Sequence, residues 1–160
     1  MADVRLSKLH RLNGELTVPG DKSISHRAAM FAAIGDGVST IKNYSSAIDC
    51  QTTLDCMRSL GADIRRSGQD IHVHGRGLRT LSEPDDVLNC GNSGTTMRLL
   101  CGLLAGQHFS TVLTGDASLR RRPMDRIIKP LVGNGAEIYG RQSNRLAPLF
   151  IRGKSLTDVI

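Results

Sequence analysis

The chain has 160 residues, 39% of them hydrophobic and 22% charged, with a formal net charge of +6. That is enough for one domain with a true core, or for two small ones, and it excludes disordered and fibrous classes. The positive balance calls for anionic partners, yet with no Trp, two Tyr and three Phe few aromatic platforms exist for stacking bases, which favours a small charged ligand over nucleic acid.

Taken in order, the first residues, Met1 to Lys8, lack an apolar signal core, and no run is long and apolar enough for a membrane span. The expectation is a cytoplasmic protein. Glu15-Leu16-Thr17-Val18 predicts a short strand, closed by a Pro19-Gly20 turn. A helix is expected over 22–34, then a strand over 38–43, a helix over 47–60, and strands over 62–66 and 70–74. Asp70-Ile71-His72-Val73-His74 alternates as a half-buried strand does. The second half predicts a strand over 86–89, a helix over 93–105, a strand over 109–114, a helix over 123–133 with Pro123 at its first position, and strands over 136–139 and 147–152.

The two halves repeat. Gly91 follows Gly20 by 71 residues, as Arg98 follows Arg27, Gly106 follows Gly35, and Ser110-Thr111 follow Ser39-Thr40. The phase then slips, and Gly135-Ala136-Glu137-Ile138 follows Gly61-Ala62-Asp63-Ile64 by 74. The fold class expected is therefore α/β (α+β), as two βαβαββ units over 15–80 and 84–153. No low-complexity linker separates them.

Chemistry concentrates at two strand-to-helix junctions. Gly20-Asp21-Lys22-Ser23-Ile24-Ser25-His26-Arg27 opens the first helix. The first amides of a helix lack intrahelical partners and carry partial positive charge, so an anion is favoured there. Lys22 adds an ammonium, and Ser23 and Arg27, four apart, share a face. This is either a phosphate or carboxylate cradle or an ordinary N-cap with solvated basic residues. Asn92-Ser93-Gly94-Thr95-Thr96-Met97-Arg98 opens the equivalent helix of the second half. Gly94 leaves room for an anion against the backbone, or simply serves the turn. In Arg120-Arg121-Arg122-Pro123 the first two arginines read as solvated, and Arg122 is positioned to grip an anion bidentately.

Other features read as structural. Cys50, Cys56, Cys90 and Cys101 form no C-x-x-C pair and read as buried free thiols of a reducing compartment. His72 and His74 share a strand face without a third ligand nearby, so no metal is expected. Asp85-Asp86 reads as a solvated pair, and Gly75-Arg76-Gly77 is followed by no helix, unlike a dinucleotide fingerprint. Asp21 interrupts the Gly-Lys of a phosphate-loop kinase.

Together, Val18-Pro19-Gly20-Asp21-Lys22-Ser23-Ile24-Ser25-His26-Arg27, Gly91-Asn92-Ser93-Gly94-Thr95-Thr96-Met97-Arg98 and Arg122-Pro123-Met124 resemble the 5-enolpyruvylshikimate-3-phosphate synthase family along essentially the whole chain. The resemblance implies a two-lobed inside-out α/β barrel, each lobe of three βαβαββ units, of which this chain holds two from one lobe. It implies transfer of the enolpyruvyl group from phosphoenolpyruvate to the 5-hydroxyl of shikimate 3-phosphate, with release of phosphate, in aromatic amino-acid biosynthesis, and no cofactor. Lys22, as the catalytic contact, would touch both substrates. Ser23 and Arg27 would hold shikimate 3-phosphate. Asn92, Gly94, Thr95 and Arg122 would join Lys22 around phosphoenolpyruvate, with Gly94 also leaving room for glyphosate. Some family members carry Pro where this chain has Leu99. The family protein is more than twice as long, so this chain is expected to be an N-terminal fragment that binds anions weakly, lacks turnover and self-associates through an uncovered apolar face, whereas the whole protein is monomeric. An RNA-binding module is the alternative, since βαβαββ units also resemble an RNA 3′-phosphate cyclase and an initiation-factor domain.

Overall fold

A computed structural model describes residues 5, 7, 8, 11 and 13–156. In chain order the elements are α1 (Lys22–Ile34), β1 (Asp36–Ile41), α2 (Ile48–Ser59), β2 (Asp63–Ser67), β3 (Asp70–Arg76), β4 (Leu88–Asn89), α3 (Gly94–Ala105), β5 (Ser110–Thr114), α4 (Asp125–Gly133), β6 (Glu137–Gly140) and β7 (Leu146–Arg152). The chain is thus mixed α/β. Among the described residues no helix is long and apolar enough to cross a membrane.

The first sheet runs β1-β3-β2, antiparallel throughout, with Ile41 opposite Ile71 and Ile64 opposite Val73. The second runs β4-β5-β7-β6. Its β5, β7 and β6 pair antiparallel in the same order as β1, β3 and β2, while β4 lies parallel to β5. The inward residues Ile71 and Val73 of β3 follow the period of two that the sequence displays, and in β7 Leu149 and Ile151 face inward at the same spacing within an apolar run.

Helices cover one face of these sheets. Asp21 caps α1 by accepting from the Ile24 amide at 2.7 Å, as a short acidic side chain does for the orphan amides of a first turn. Ser25, His26, Ala29, Met30 and Ala33 form its buried stripe at helical spacing. Ile24 and Phe31 lie on the exposed side. α3 buries Met97, Leu100, Cys101 and Leu104. One hydrophobic cluster takes in both sheets and helices α1 to α4, from Ala29 and Leu54 to Leu100 and Ile128. All four cysteines are free and buried within it, and burial pushes the Cys101 thiol up to about 12.

Three expectations fail. Residues 15–18 are described but form no strand, and Leu16 and Val18 stand exposed. A strand exists only against a partner edge, and among the described residues none pairs with this segment, although the Asn43 side chain donates to the Val18 carbonyl at 3.3 Å. Among the described residues the first half thus shows no counterpart to β4. Nor does the helix expected over 123–133 begin at Pro123. The Met124 amide donates to the Arg145 carbonyl at 2.8 Å, and α4 starts at Asp125. Pro123 instead holds Arg122 extended, at ψ 132°. The strand expected over 38–43 ends at Ile41, since Asn43 turns the chain at φ 51°.

Candidate functional site

The α1 junction is built on a close approach. A methyl group at Gly20 would collide with the Asn43 carbonyl, so only glycine lets the entering chain pass there. From this turn Lys22 emerges exposed, and its Nζ donates to Asp49 Oδ2 at 2.6 Å in the first turn of α2. That bond, and the charge behind it, raises the Lys22 pKa. Ser23 and Arg27 lie exposed one turn apart on α1. Among the described residues no acidic side chain pairs with Arg27, and no hydrogen bond ties Ser23 or Arg27 to the other junction.

The α3 junction gathers its cations from further along the chain. Ser93 is its N-cap, accepting from the Thr96 amide at 3.2 Å. The Gly94 and Thr95 amides ahead of it have no acceptor among the described residues, as expected of a helix start. A methyl group built at Gly94 would lie 2.5 Å from Arg98 Nη1 and 3.5 Å from Arg122 Nη1. Two guanidinium groups therefore press on the spot that glycine leaves open. Arg122 is held by Asn92. Its Nη2 donates to Asn92 Oδ1 at 2.6 Å, and its Nη1 to the Asn92 carbonyl at 3.4 Å. Asn92 in turn donates to Asp116 Oδ2 at 2.7 Å. The Leu119 amide and the Asn92 side chain hold the Asp116 carboxyl below its ordinary pKa. Arg98 donates to the Pro123 carbonyl at 3.3 Å. Arg98, Arg122, Pro123, Asp125 and Arg126 line a cavity of about 700 Å³, with three cations to one carboxylate. Thr95 is exposed on the first turn of α3.

The first turn of α2 joins the two junctions. Asp49 takes Lys22 on its carboxylate, while its backbone carbonyl accepts from Thr96 Oγ1 at 3.4 Å. The structure thus gathers Asn92, Gly94 and Arg122, and sets Lys22 one residue away through Asp49. Sequence reasoning missed Asp49, Arg98, Asp116 and the buried Thr53 and Thr96. The repeat that pairs Arg98 with Arg27 was the one available signal for Arg98. Nothing local marked the others, because the bonds that join them to the site from other elements span at least 24 residues. Chemically the α3 junction offers free amides and paired guanidinium groups to a multiply charged anion.

His72 and His74 lie on β3, with His72 Nδ1 3.2 Å from Thr40 Oγ1, and no group of three or more metal-ligating side chains occurs among the described residues. Asp85 and Asp86 are exposed, and Asp86 accepts from the Val87 amide at 2.6 Å.

Residues 6–160 match the family model of EPSP synthase (3-phosphoshikimate 1-carboxyvinyltransferase). The chain is 55% identical over 150 residues to 3-phosphoshikimate 1-carboxyvinyltransferase of Alkaliphilus metalliredigens, covering 94% of the chain and 35% of that protein. It is 52% identical over 158 residues to that of Pelotomaculum thermopropionicum, covering 98% and 37%. Among solved structures, EPSP synthase from Acinetobacter baumannii superposes with a TM-score of 0.87 at 42% identity, over 92% of this chain and 34% of that one. The chain therefore spans little more than a third of the relatives it matches. On this sequence match and superposition together, the chain belongs to the EPSP synthase family.

Proposed function

We propose that this chain contributes part of the substrate site of an enolpyruvyl transferase. The reaction moves the 1-carboxyvinyl group of phosphoenolpyruvate to the 5-hydroxyl of shikimate 3-phosphate and releases phosphate. The two units, over 15–80 and 84–153, are neighbouring pieces of one lobe of an inside-out α/β barrel. Buried free thiols fit a reducing, cytoplasmic setting.

The observation that carries this reading is the convergence of Arg98 and Arg122 on Gly94, at a helix start joined through Asp49 to Lys22. Both substrates are multiply anionic and repel each other. Cations and amides fixed before binding offset that repulsion without reorganising during the reaction. Gly94, Thr95, Asn92 and Arg122 seat phosphoenolpyruvate. Ser23 and Arg27 hold the shikimate phosphate on α1. Lys22 lies between them and contacts both, once Asp49 shares it with the incoming anions.

On this reading the 160-residue chain binds anions through these groups. Titration of the chain with phosphoenolpyruvate, followed by amide shifts at Gly94 and Thr95, tests the assignment. Arg122→Ala removes a charge-assisted pair of donors and should weaken binding by about tenfold or more. Arg122→Lys should restore little of it, because the planar fork is lost. Unchanged affinity in Arg122→Ala would overturn the seat.

A further inference from the structure

The segment that carries Arg122 is tied to the turn ahead of α3 by backbone and side chain together. A methyl group built at Gly115 would lie 2.6 Å from the Gly91 carbonyl oxygen, so the chain leaving β5 passes directly against that turn. The Asp116 amide donates to the same carbonyl at 2.8 Å. The Asp116 carboxylate then divides its two oxygens. Oδ1 accepts from the Leu119 amide at 2.7 Å, where the short 3-10 turn Leu119–Arg121 begins, and Oδ2 accepts from Asn92 Nδ2 at 2.7 Å. The Arg122 amide closes that turn by donating to the Leu119 carbonyl at 3.0 Å, and its Nη2 donates to Asn92 Oδ1 at 2.6 Å. Both the backbone and the head group of Arg122 therefore lead back to one carboxylate.

The chemistry of these groups leaves one arrangement. The Leu119 amide and the Arg122 guanidinium can only donate, and an ionised carboxylate can only accept. The Leu119 amide first, and the Asn92 side chain second, hold the Asp116 carboxyl below its ordinary pKa, so it is ionised at neutral pH. Asn92 stands between carboxylate and guanidinium with one donor end and one acceptor end, and only one way round satisfies both neighbours. The reverse sets acceptor against acceptor at Asp116 and donor against donor at Arg122, leaving Nη2 the Ser118 hydroxyl at 3.5 Å. A carboxamide at position 116 would break this order. With its oxygen on the Leu119 amide it turns an NH2 on Asn92, which then either loses that partner or turns its own NH2 on Arg122. Asn92 is also a spacer. Among the described residues neither Asp116 nor Arg122 joins an ion pair, so the guanidinium keeps its charge for an incoming anion. Asp116 and Asn92 are exposed, where a single hydrogen bond contributes little. The backbone contacts at Gly115 and Asp116 bring these groups together in advance.

We propose that Asp116 is a positioning residue, which fixes the Asn92 carboxamide with its oxygen toward Arg122 and so holds the guanidinium beside Gly94. Its bearing on phosphoenolpyruvate rests on the function proposed above. The orientation of Asn92 does not.

The test compares the isotope-labelled chain with Asp116→Asn, which keeps the size of the side chain and its acceptor for Leu119. In the unliganded, unsubstituted chain the Arg122 Nη protons should give resolved signals, because Asn92 hinders rotation of the guanidinium, and in Asp116→Asn they should collapse. Phosphoenolpyruvate should bind Asp116→Asn about fivefold more weakly, the worth of one net hydrogen bond. Added to Arg122→Ala, the same substitution should cost nothing further, since its effect passes through Arg122. A residue that merely capped the 3-10 turn would leave the Nη signals of Asp116→Asn as they were. Nη signals that are unresolved in the unsubstituted chain or unchanged in Asp116→Asn, unchanged affinity, or an equal loss in the Arg122→Ala background each overturns the proposal. If Asp116→Asn does not fold, Asp116→Ser, with one oxygen for Leu119 and none for Asn92, carries the same comparison. If phosphoenolpyruvate does not bind the unsubstituted chain, the anion seat falls, and the Nη signals still decide the positioning.

Discussion

The starts of α1 and α3 occupy the same place in two halves with the same sheet order, yet they are charged in different ways. At α1 the polar groups are local. Asp21 caps the helix, Lys22 is its first residue, and Ser23 and Arg27 follow on the same surface. At α3 the local sequence supplies a serine cap, a glycine and two threonines. Arg98 comes from the next helical turn and Arg122 from nearly thirty residues on, each anchored by a carbonyl or amide. The first junction displays flexible, exposed cations. The second presses its cations against bare backbone. An anion at α1 must order long side chains, whereas one at α3 meets groups already placed.

The largest expected effect that separates them is on stability. Ser93→Ala strips the cap of α3 and leaves the buried Thr96 amide without its acceptor, which should lower unfolding free energy by about 2 kcal/mol. Asp21→Ala at the exposed α1 cap should cost only about 1 kcal/mol. Equal losses in urea denaturation would erase the contrast between a buried and an exposed cap.

A smaller effect comes from Gly94→Ala. The backbone there is helical, so alanine should leave the melting temperature unchanged or slightly raised. The added methyl displaces Arg98 and comes into contact with Arg122, and phosphoenolpyruvate affinity should fall several-fold, by about 1 kcal/mol. A loss of stability with affinity intact would mean that Gly94 serves the turn rather than the anion.

The smallest effect is the pH dependence of the α1 junction. The Lys22 pKa is raised by Asp49, so its contribution is fully present below the ordinary lysine value, near ~10.4, and is lost as pH rises through the higher folded value. Because the pair is exposed and screened, Asp49→Asn should lower the Lys22 titration seen by NMR while barely moving the denaturation midpoint. A large stability loss in Asp49→Asn would show instead that α2 depends on this carboxylate.

Much of the fold was legible in the residues themselves. Helix starts are written locally, in a cap, a turn and a spacing of three and four, and so α1 and α3 fell where expected. β3 announced itself by alternation, and the repeat of glycines and arginines anticipated two halves of like order. Residues 15–18 carried a strand-like run and formed no strand, because a strand is a property of two edges rather than one segment. Pro123 carried a helix-start signal, but a hydrogen bond from Met124 to distant Arg145 moved the start to Asp125.

For the candidate site, the sequence by itself determined which groups exist and which helix ends they stand on, since both follow from chemistry within one turn. Only the tertiary structure decided their partners. Asp49 for Lys22, Asp116 and Asn92 for Arg122, and Thr53 between His26 and Thr96 all lie on different elements. Such pairs are chosen by how helices pack over the sheets, and the short-range periodicities that reveal a helix or a strand carry no record of that choice.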